Sequence, residues 1–371
     1  MEQHFNQRLR EYDLVADNGQ IAQHKLIKPK RLERGDMVAA VTLSWGGPGS
    51  IPGRYEAGKR QLEEEFGITV VEMPNTRRSA EWIHANPKAR ADDLMAAFAD
   101  PSIKAVFSTI GGDDSVRILP YLDLNVIRHN PKIFMGYSDT TVTHLACYKA
   151  GLSSFYGPSF MSGFAENCGM FPYMLRSMRR ILFSNAVIGE VEPNTDGWTV
   201  EHLDWMNPDN QQRRRTLTSS QPWKLLQGSG TVSGHLLGGC FDVLEFLKGT
   251  DYWPSRDQWK GAILFIETSE EAPHPSRCGY WLRNYAAQGI LQDLSGILVG
   301  RPGGNVPEAD FAKYEEALLK IVSKEYGLSN LPIMTRMDFG HTDPMFVIPY
   351  GLQAEIRCSE SRLFINESAV E

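Results

Sequence analysis

Short apolar runs alternate with helical patterns along the first half of the chain. Residues 36–44, "DMVAAVTLS", contain a short apolar run as in a buried strand, and so do "ITVVEMP", "KAVFSTI" and "PKIFMGYS". Between them, "RYEAGKRQLEEEFG", "PKARADDLMAAFAD" and "TTVTHLACYKAG" carry apolar residues at helical spacing. Strands that alternate with helices predict parallel βαβ units, so we expect a doubly wound, mostly parallel sheet.

This alternation stops at about residue 186 and resumes at about residue 231. The segment between is polar and rich in turn residues, and it contains Trp198, Trp205 and Trp223. Long irregular segments are usually functional or disordered, and three tryptophans argue against disorder. We therefore predict an α/β protein in three parts. These are a flavodoxin-like N-terminal domain (1–185), a Trp-rich connecting and substrate loop (186–230) and a C-terminal α/β domain (231–371).

Composition excludes several classes of function. The net charge of −7 argues against a general nucleic-acid binder, because phosphate neutralisation requires a basic surface. The five cysteines are widely spaced without a CxxC motif, which argues against a disulfide framework or a zinc site. Neither HExxH nor GxxxxGK[ST] occurs, which argues against the metal and nucleotide sites that these motifs form. The polar N-terminus and the lack of a long apolar stretch predict a cytoplasmic protein with no membrane partner.

The first candidate functional site is "STIGGDDS", where a predicted strand is followed by a predicted helix. Ligands of such sheets bind beyond the carboxyl ends of the strands. A bound phosphate is disfavoured there, because two aspartates would repel it. Ser115 at the turn is a candidate nucleophile, with the backbone N–H groups of Gly112 and Val116 facing a developing oxyanion. The alternative that Ser115 only caps the helix stays open.

A second serine has the same local setting. Ser138 lies in "GYSDT", which is closer to the GxSxG nucleophile elbow but ends in Thr rather than Gly. It also follows a predicted strand and precedes a predicted helix. The local sequence does not choose between Ser115 and Ser138.

A nucleophilic serine requires a base and an acid that orients it. His341 follows a glycine at a predicted strand end in "MDFGHTDPMFVIPYG", and His235 in "SGHLLGG" is the second choice. Glu267 ends the otherwise apolar strand "AILFIET". A carboxylate there is costly to bury unless it is paired, and an imidazole N–H is a suitable partner.

These segments together resemble the peptidase S66 family, which contains the LD-carboxypeptidases and the microcin C self-immunity proteins. The resemblance covers residues 36–365 and rests on "STIGGDDSVRILPYLD", "NPKIFMGYSDTT", "GPSF", "SGHLLGGC", "GAILFIETSE", "SGILVGR" and "DFGHTDPMFVIPYG". It implies a Ser–Glu–His triad at Ser115, Glu267 and His341, with the nucleophile from the first domain. It also implies a homodimer that needs no cofactor. Ser138 and Asp139 then become pocket residues, and Asp114 is a further candidate substrate contact.

Two branches of that family differ in substrate. LD-carboxypeptidases cut an L,D-peptide bond of the murein tetrapeptide, whereas immunity-type enzymes cut the amide between an amino acid and a sulfamoyl or phosphoramidate adenosine. Adenine requires an aromatic stacking surface, which Trp198, Trp205 or Trp223 would supply. We therefore expect a serine hydrolase acting on an aminoacyl-nucleotide. A hydrolase of murein tetrapeptides is the alternative, and a non-catalytic ligand-binding module is a second one.

Overall fold

The computed structural model describes residues 26–371. Residues 1–25, the polar N-terminus on which the predicted cytoplasmic location partly rests, lie outside this range. The strands are β1 (Met37–Val41), β2 (Thr69–Glu72), β3 (Ile103–Ser108), β4 (Ile133–Gly136), β5 (Phe155–Tyr156), β6 (Gly189–Val191), β7 (Lys224–Gln227), β8 (Thr231–Cys240), β9 (Ala262–Glu267), β10 (Gly296–Gly300), β11 (Ile333–Met337), β12 (Ile348–Pro349), β13 (Gln353–Arg357) and β14 (Arg362–Ile365).

The α-helices lie mostly between successive parallel strands, as the sequence predicts. They span Gly47–Ser50, Pro52–Phe66, Ala80–Ala85, Pro87–Ala99, Leu124–His129, Thr141–Ala150, Pro172–Leu182, Phe241–Leu247, Arg256–Trp259, Pro275–Ala287, Ile290–Asp293 and Phe311–Leu319. Short 3-10 helices span Ser115–Tyr121, Ser138–Thr140, Pro208–Gln212, Glu308–Asp310 and Cys358–Glu360, and a π-helical turn spans Lys320–Glu325. Within the described residues, no helix combines the length and apolar character needed to span a bilayer.

The first sheet has the strand order β12-β5-β4-β3-β1-β2. Strands β1 to β5 pair in parallel, and β12 adds an antiparallel edge next to β5. The order 2-1-3-4-5 is that of flavodoxin-like sheets, which confirms the predicted fold class. Every residue of β4 is buried, as expected for a sheet that helices cover on both faces.

The second sheet has the order β6-β14-β13-β8-β9-β10-β11-β7. Its centre, β8 to β11, is parallel, and antiparallel strands flank it on both sides. The protein is thus built from two α/β units, as predicted. The part predicted as a connecting loop supplies β6 and β7 to this sheet, while β12 lies in the first sheet. The exact boundaries at 185 and 231 stay a prediction.

The carboxyl ends of the two parallel sheets meet. At the end of β8, the backbone N–H of Cys240 donates a 3.1 Å hydrogen bond to the Thr141 hydroxyl, at the start of the helix that follows β4. Gly239 allows this approach, because a Cβ there would lie 2.5 Å from Thr141 Cγ2. Side chains that follow β4, β9 and β11 are therefore brought together from both units.

Candidate active site

Ser138 lies on a sharp turn between β4 and the helix Thr141–Ala150. Its φ of 61° is in the left-handed region, which a residue with a Cβ adopts only under local constraint. Gly136 makes the turn possible, since a Cβ there would lie 2.7 Å from Thr140 Cγ2 and 2.9 Å from Ser108 Cβ. Such a strand–turn–helix elbow projects a serine hydroxyl beyond the end of the sheet.

His341 connects this hydroxyl to a buried carboxylate. Its Nε2 lies 3.0 Å from Ser138 Oγ, and its Nδ1 lies 2.6 Å from Glu267 Oε2. Glu267 ends β9 and is 1% exposed, so its charge depends on these partners. The three groups form the hydroxyl–imidazole–carboxylate arrangement that serine hydrolases use to transfer protons.

Tyr156, at the end of β5, forms hydrogen bonds to both the Ser138 turn and Glu267. Its hydroxyl accepts a 3.1 Å hydrogen bond from the Ser138 N–H and donates one to Glu267 Oε1. One phenol therefore fixes both the serine turn and the second oxygen of the carboxylate. The sequence analysis missed Tyr156, because an aromatic residue in a buried strand gives no sign that its hydroxyl faces another domain.

Ser115 does not contact His341, which contradicts the predicted pairing. Ser115 is fully buried; its N–H donates to Asp139 Oδ2 and its Oγ donates to the Asp139 carbonyl, both at 2.8 Å. Both polar groups of Ser115 are therefore buried and paired with Asp139 in this structure. Ser115 begins a 3-10 helix and supports the Ser138 elbow from behind.

Asp114 and Asp139, the acidic residues predicted to contact substrate, are engaged within the protein. Asp114 lies 2.5 Å from the buried Arg90 guanidinium, 3.0 Å from that of Arg117 and 2.9 Å from His84 Nδ1. Asp139 is buried, and burial raises the pKa of its carboxyl. Both carboxylates hold loops in place around the elbow.

The loop that follows β3 lies directly against the serine. A Cβ at Gly111 would be 2.9 Å from Ser138 Cβ and 3.0 Å from its Oγ. Gly112 follows with a φ of 146°, which side chains rarely adopt. Val116 lies one residue beyond the buried Ser115, within the 3-10 helix. The two glycines therefore bring backbone close to the hydroxyl.

His235, the second candidate base, lies away from the serine elbow. It is on β8, where its Nε2 is 2.8 Å from the Gln258 carbonyl oxygen.

The three tryptophans differ in what surrounds them. Trp198 and Trp223 are buried, and Trp223 Nε1 donates a 2.7 Å hydrogen bond to Asp338. Trp205 is only partly buried, and the Arg54 guanidinium lies 4.7 Å from the centroid of its ring. Trp198 and Trp223 therefore pack in the interior, whereas part of the Trp205 side chain is exposed.

Trp205 lines a cavity of about 290 Å³ whose walls are mostly apolar. Arg54 donates hydrogen bonds to Gln211 Oε1 at 3.0 Å and to Asn167 Oδ1 at 2.5 Å. The cavity thus offers an aromatic ring beside amide groups and a guanidinium, a combination suited to a flat heterocycle.

Electrostatics favour a charged His341 in the free protein. Burial alone would lower the pKa of its imidazole, but the carboxylates of Glu267 and Glu270 outweigh burial and raise it to about 10. Glu270 lies in the turn after β9, with Oε2 at 3.0 Å from His341 Nε2.

Among the described residues, Cys240, Glu267 and His341 form a group whose ligating atoms lie within 4.8 Å of one another. Two of these side chains already belong to the hydrogen-bonded relay, and Tyr156 engages the second oxygen of Glu267. The cluster therefore belongs to the relay and supports no separate metal site.

Comparisons with known proteins match two segments of the chain to two family models. The family model of the LD-carboxypeptidase N-terminal domain matches residues 38–157, and that of the C-terminal domain matches residues 233–356. A putative carboxypeptidase of Vibrio cholerae is 27% identical over 332 residues, 89% of this chain and 95% of that protein. The microcin C7 self-immunity protein of Escherichia coli is 26% identical over 348 residues, 94% of this chain and 97% of that protein.

Solved structures agree over nearly the whole chain. The crystal structure of an MccF-like protein from Streptococcus pneumoniae in complex with AMP has a TM-score of 0.81 and 31% identity, covering 90% of this chain and 99% of that one. The microcin C7 self-immunity protein MccF in complex with aspartyl sulfamoyl adenosine has a TM-score of 0.81 and 25% identity, with 93% and 100% covered. The chain therefore belongs to the peptidase S66 family of LD-carboxypeptidases and is a hydrolase of that family.

Proposed function

We propose that this protein is a serine amidase in which Ser138 is the nucleophile, His341 the general base and Glu267 the group that orients the base. The observation that carries the proposal is the position of the His341 ring. Its two nitrogens lie 3.0 Å from Ser138 Oγ and 2.6 Å from Glu267 Oε2. This assigns to Ser138 the role that the sequence resemblance implied for Ser115.

The reaction follows from this geometry. His341 Nε2 accepts the Ser138 proton as Oγ attacks the scissile carbonyl carbon. The imidazolium, stabilised by Glu267, then protonates the leaving nitrogen, and the C–N bond of the tetrahedral intermediate breaks. Water, deprotonated by His341, hydrolyses the acyl-enzyme and regenerates the Ser138 hydroxyl.

Backbone groups beside Ser138 are suited to stabilise the oxyanion. In an elbow of this kind, one donor is the N–H of the residue after the nucleophile, here Asp139. The loop at Gly111 and Gly112 supplies the second, since Gly111 lies against Ser138. Gly112 keeps the role that the sequence suggested, whereas Val116 is replaced by Asp139.

We propose an aminoacyl-nucleotide as substrate, with its base in the Trp205 cavity. The relatives solved with AMP and with aspartyl sulfamoyl adenosine support this class of ligand. Two hydrogen bonds link the cavity to the serine loop. Arg54 Nε donates to the Met161 carbonyl at 3.0 Å, and the Met161 N–H donates to the Thr109 carbonyl at 3.0 Å. Thr109 is two residues before Gly111, so the cavity is connected through the backbone to the loop that lies against the catalytic serine.

A comparison of two substrates tests the proposed substrate class. We expect hydrolysis of aspartyl sulfamoyl adenosine, with a kcat/KM well above that for a murein tetrapeptide, measured by separating the products chromatographically. The alternative activity, an LD-carboxypeptidase of murein peptides, is supported by the Vibrio cholerae relative named as a putative carboxypeptidase. Preference for the tetrapeptide would establish that alternative, and binding without cleavage would favour the ligand-binding module.

Trp205→Ala should weaken binding of the nucleoside part. Loss of one base-stacking contact costs about 1–3 kcal/mol, so KM for aspartyl sulfamoyl adenosine should rise about 5- to 150-fold. Trp205→Phe keeps an aromatic face, so its KM should lie between those of the wild type and Trp205→Ala. An aspartyl amide without a base serves as control, because its hydrolysis should be the same in all three proteins. Equal losses on both substrates would exclude stacking on Trp205.

A further inference from the structure

An exposed carboxylate reaches the nitrogen that must act as base. Glu270 lies three residues beyond the end of β9, and its side chain is 69% exposed. Its Oε2 nevertheless lies 3.0 Å from His341 Nε2, the same nitrogen that is 3.0 Å from Ser138 Oγ. The triad chemistry described above gives no role to Glu270.

This contact favours a protonated imidazole in the free protein. With Glu267 on Nδ1 and Glu270 on Nε2, both ring nitrogens face carboxylates and both carry protons in the favoured state. A protonated Nε2 has no lone pair to accept the Ser138 proton. The same interaction lowers the pKa of the Glu270 carboxyl to about 2, mainly through its hydrogen bond to His341.

Other titratable groups around the ring do not offset the two carboxylates. Cys240 is buried within the same cluster, and Asp242 interacts electrostatically with His341. The Tyr137 ring packs on the imidazole with its centroid 5.0 Å away, and Asp343 pairs with Arg215 at 2.7 Å. The ionised groups that contact the imidazole are therefore both carboxylates. A cation from outside this cluster is needed to compete with His341 for Glu270.

We propose that Glu270 binds the α-ammonium group of the substrate's aminoacyl part, so that its carboxylate leaves His341. The imidazolium, without this anionic partner, then releases its Nε2 proton to solvent water, and the neutral Nε2 can act as base. The inference rests on the proposed function, because it requires an aminoacyl substrate with a free amine. It makes Glu270 a specificity-determining residue that also links substrate binding to activation of the base.

The distances fit this exchange. The α-nitrogen of an aminoacyl group is about 2.5 Å from the carbonyl carbon, given two bonds of about 1.5 Å and an angle near 111°. That carbon must come within about 3–3.5 Å of Ser138 Oγ for attack. Since His341 Nε2 is 3.0 Å from both Oγ and Glu270 Oε2, these two oxygens are at most about 6 Å apart, which an aminoacyl group can bridge with its attacked carbon near Oγ and its ammonium near Glu270.

This arrangement predicts selectivity for a free amine. An N-acetylated aminoacyl conjugate carries no charge at this nitrogen, so Glu270 stays on His341 and the base stays protonated. A charged hydrogen bond of this kind contributes about 1.5–3 kcal/mol, so kcat/KM for the acetylated substrate should be about 10- to 150-fold lower. A peptide cut near its carboxyl terminus is also disfavoured, because the corresponding nitrogen is part of an amide.

Glu270→Gln tests the inference with aspartyl sulfamoyl adenosine and its N-acetyl derivative. The ratio of their kcat/KM values should fall from about 10–150 in the wild type towards 1 in the variant. The rising limb of kcat/KM against pH, which reports the free enzyme, should move to lower pH by about 1–3 units. The sign follows because losing an anionic partner destabilises the imidazolium and lowers its pKa.

Glu271→Gln is the matched control, since Glu271 is the next residue, is exposed and undergoes the same change. It should keep the wild-type ratio and pH profile. Equal loss of both activities in Glu270→Gln, or an unchanged ratio, would overturn the inference while leaving the amidase intact. Failure of the wild type to hydrolyse either conjugate would instead overturn the proposed function.

Discussion

Ser138→Ala should abolish hydrolysis, with kcat lower by about 10⁴- to 10⁶-fold, as expected when the nucleophile of a triad is removed. Ser115→Ala should leave kcat within about tenfold of the wild type, because the lost hydrogen bond affects stability by only about 1 kcal/mol. The pair of variants forms a controlled experiment: the same substitution is made in two serines, and only the Ser138 hydroxyl contacts His341. Single-turnover assays on aspartyl sulfamoyl adenosine would measure both.

Ser115→Ala, which should have the smaller effect on kcat, should have the larger effect on thermal stability. Ser115 Oγ donates to the Asp139 carbonyl in a fully buried setting, so its loss leaves that carbonyl without the donor. Ser138→Ala removes a group on a left-handed turn near the surface of the cleft. We expect Ser115→Ala to have the lower Tm. An inactive but fully folded Ser115→Ala protein, beside an active Ser138→Ala protein, would restore the assignment that the sequence first suggested.

Much of the fold follows from local patterns. Short apolar runs become buried parallel strands such as β4 and β9, which are buried at every residue and therefore covered on both faces. The pairing of Glu267 with His341 also follows from burial: a carboxylate that ends an apolar strand needs a partner, and an imidazole N–H supplies it. These inferences depend on the chemistry of single positions and require no knowledge of how distant segments meet.

The choice between the two serines depends on tertiary contacts. Both follow a strand of the same sheet, and β3 and β4 are neighbours, so their loops lie side by side. Only the elbow after β4 faces His341, which is 203 residues away along the chain. The one local signal in favour of Ser138 was "GYSDT". Its glycine is needed because a Cβ at that position would be too close to Thr140 and Ser108 in the folded turn. The role of Tyr156 also depends on contact between the two sheets.

Glu267→Gln should lower kcat by about 10⁴-fold, the effect expected when the orienting carboxylate of a triad becomes an amide. Glu267 accepts hydrogen bonds at both oxygens, from His341 Nδ1–H and from the Tyr156 hydroxyl. A glutamine has one acceptor and one donor group, so it cannot reproduce both bonds. If its NH₂ faces Nδ1, the imidazole carries its proton on Nε2, which cannot then accept the Ser138 proton.

The same substitution should change the pH dependence even where the geometry is retained. Burial lowers the pKa of His341, and Glu267 is the larger of the two carboxylate contributions that raise it to about 10. Without that charge the imidazolium is less stable, so the residual activity should reach half its maximum at lower pH than in the wild type. Glu271→Gln, which removes one exposed charge from the following turn, should leave both kcat and the pH profile unchanged. A Glu267→Gln protein with kcat within tenfold of the wild type and an unshifted profile would show that His341 does not depend on Glu267 for its orientation or its charge.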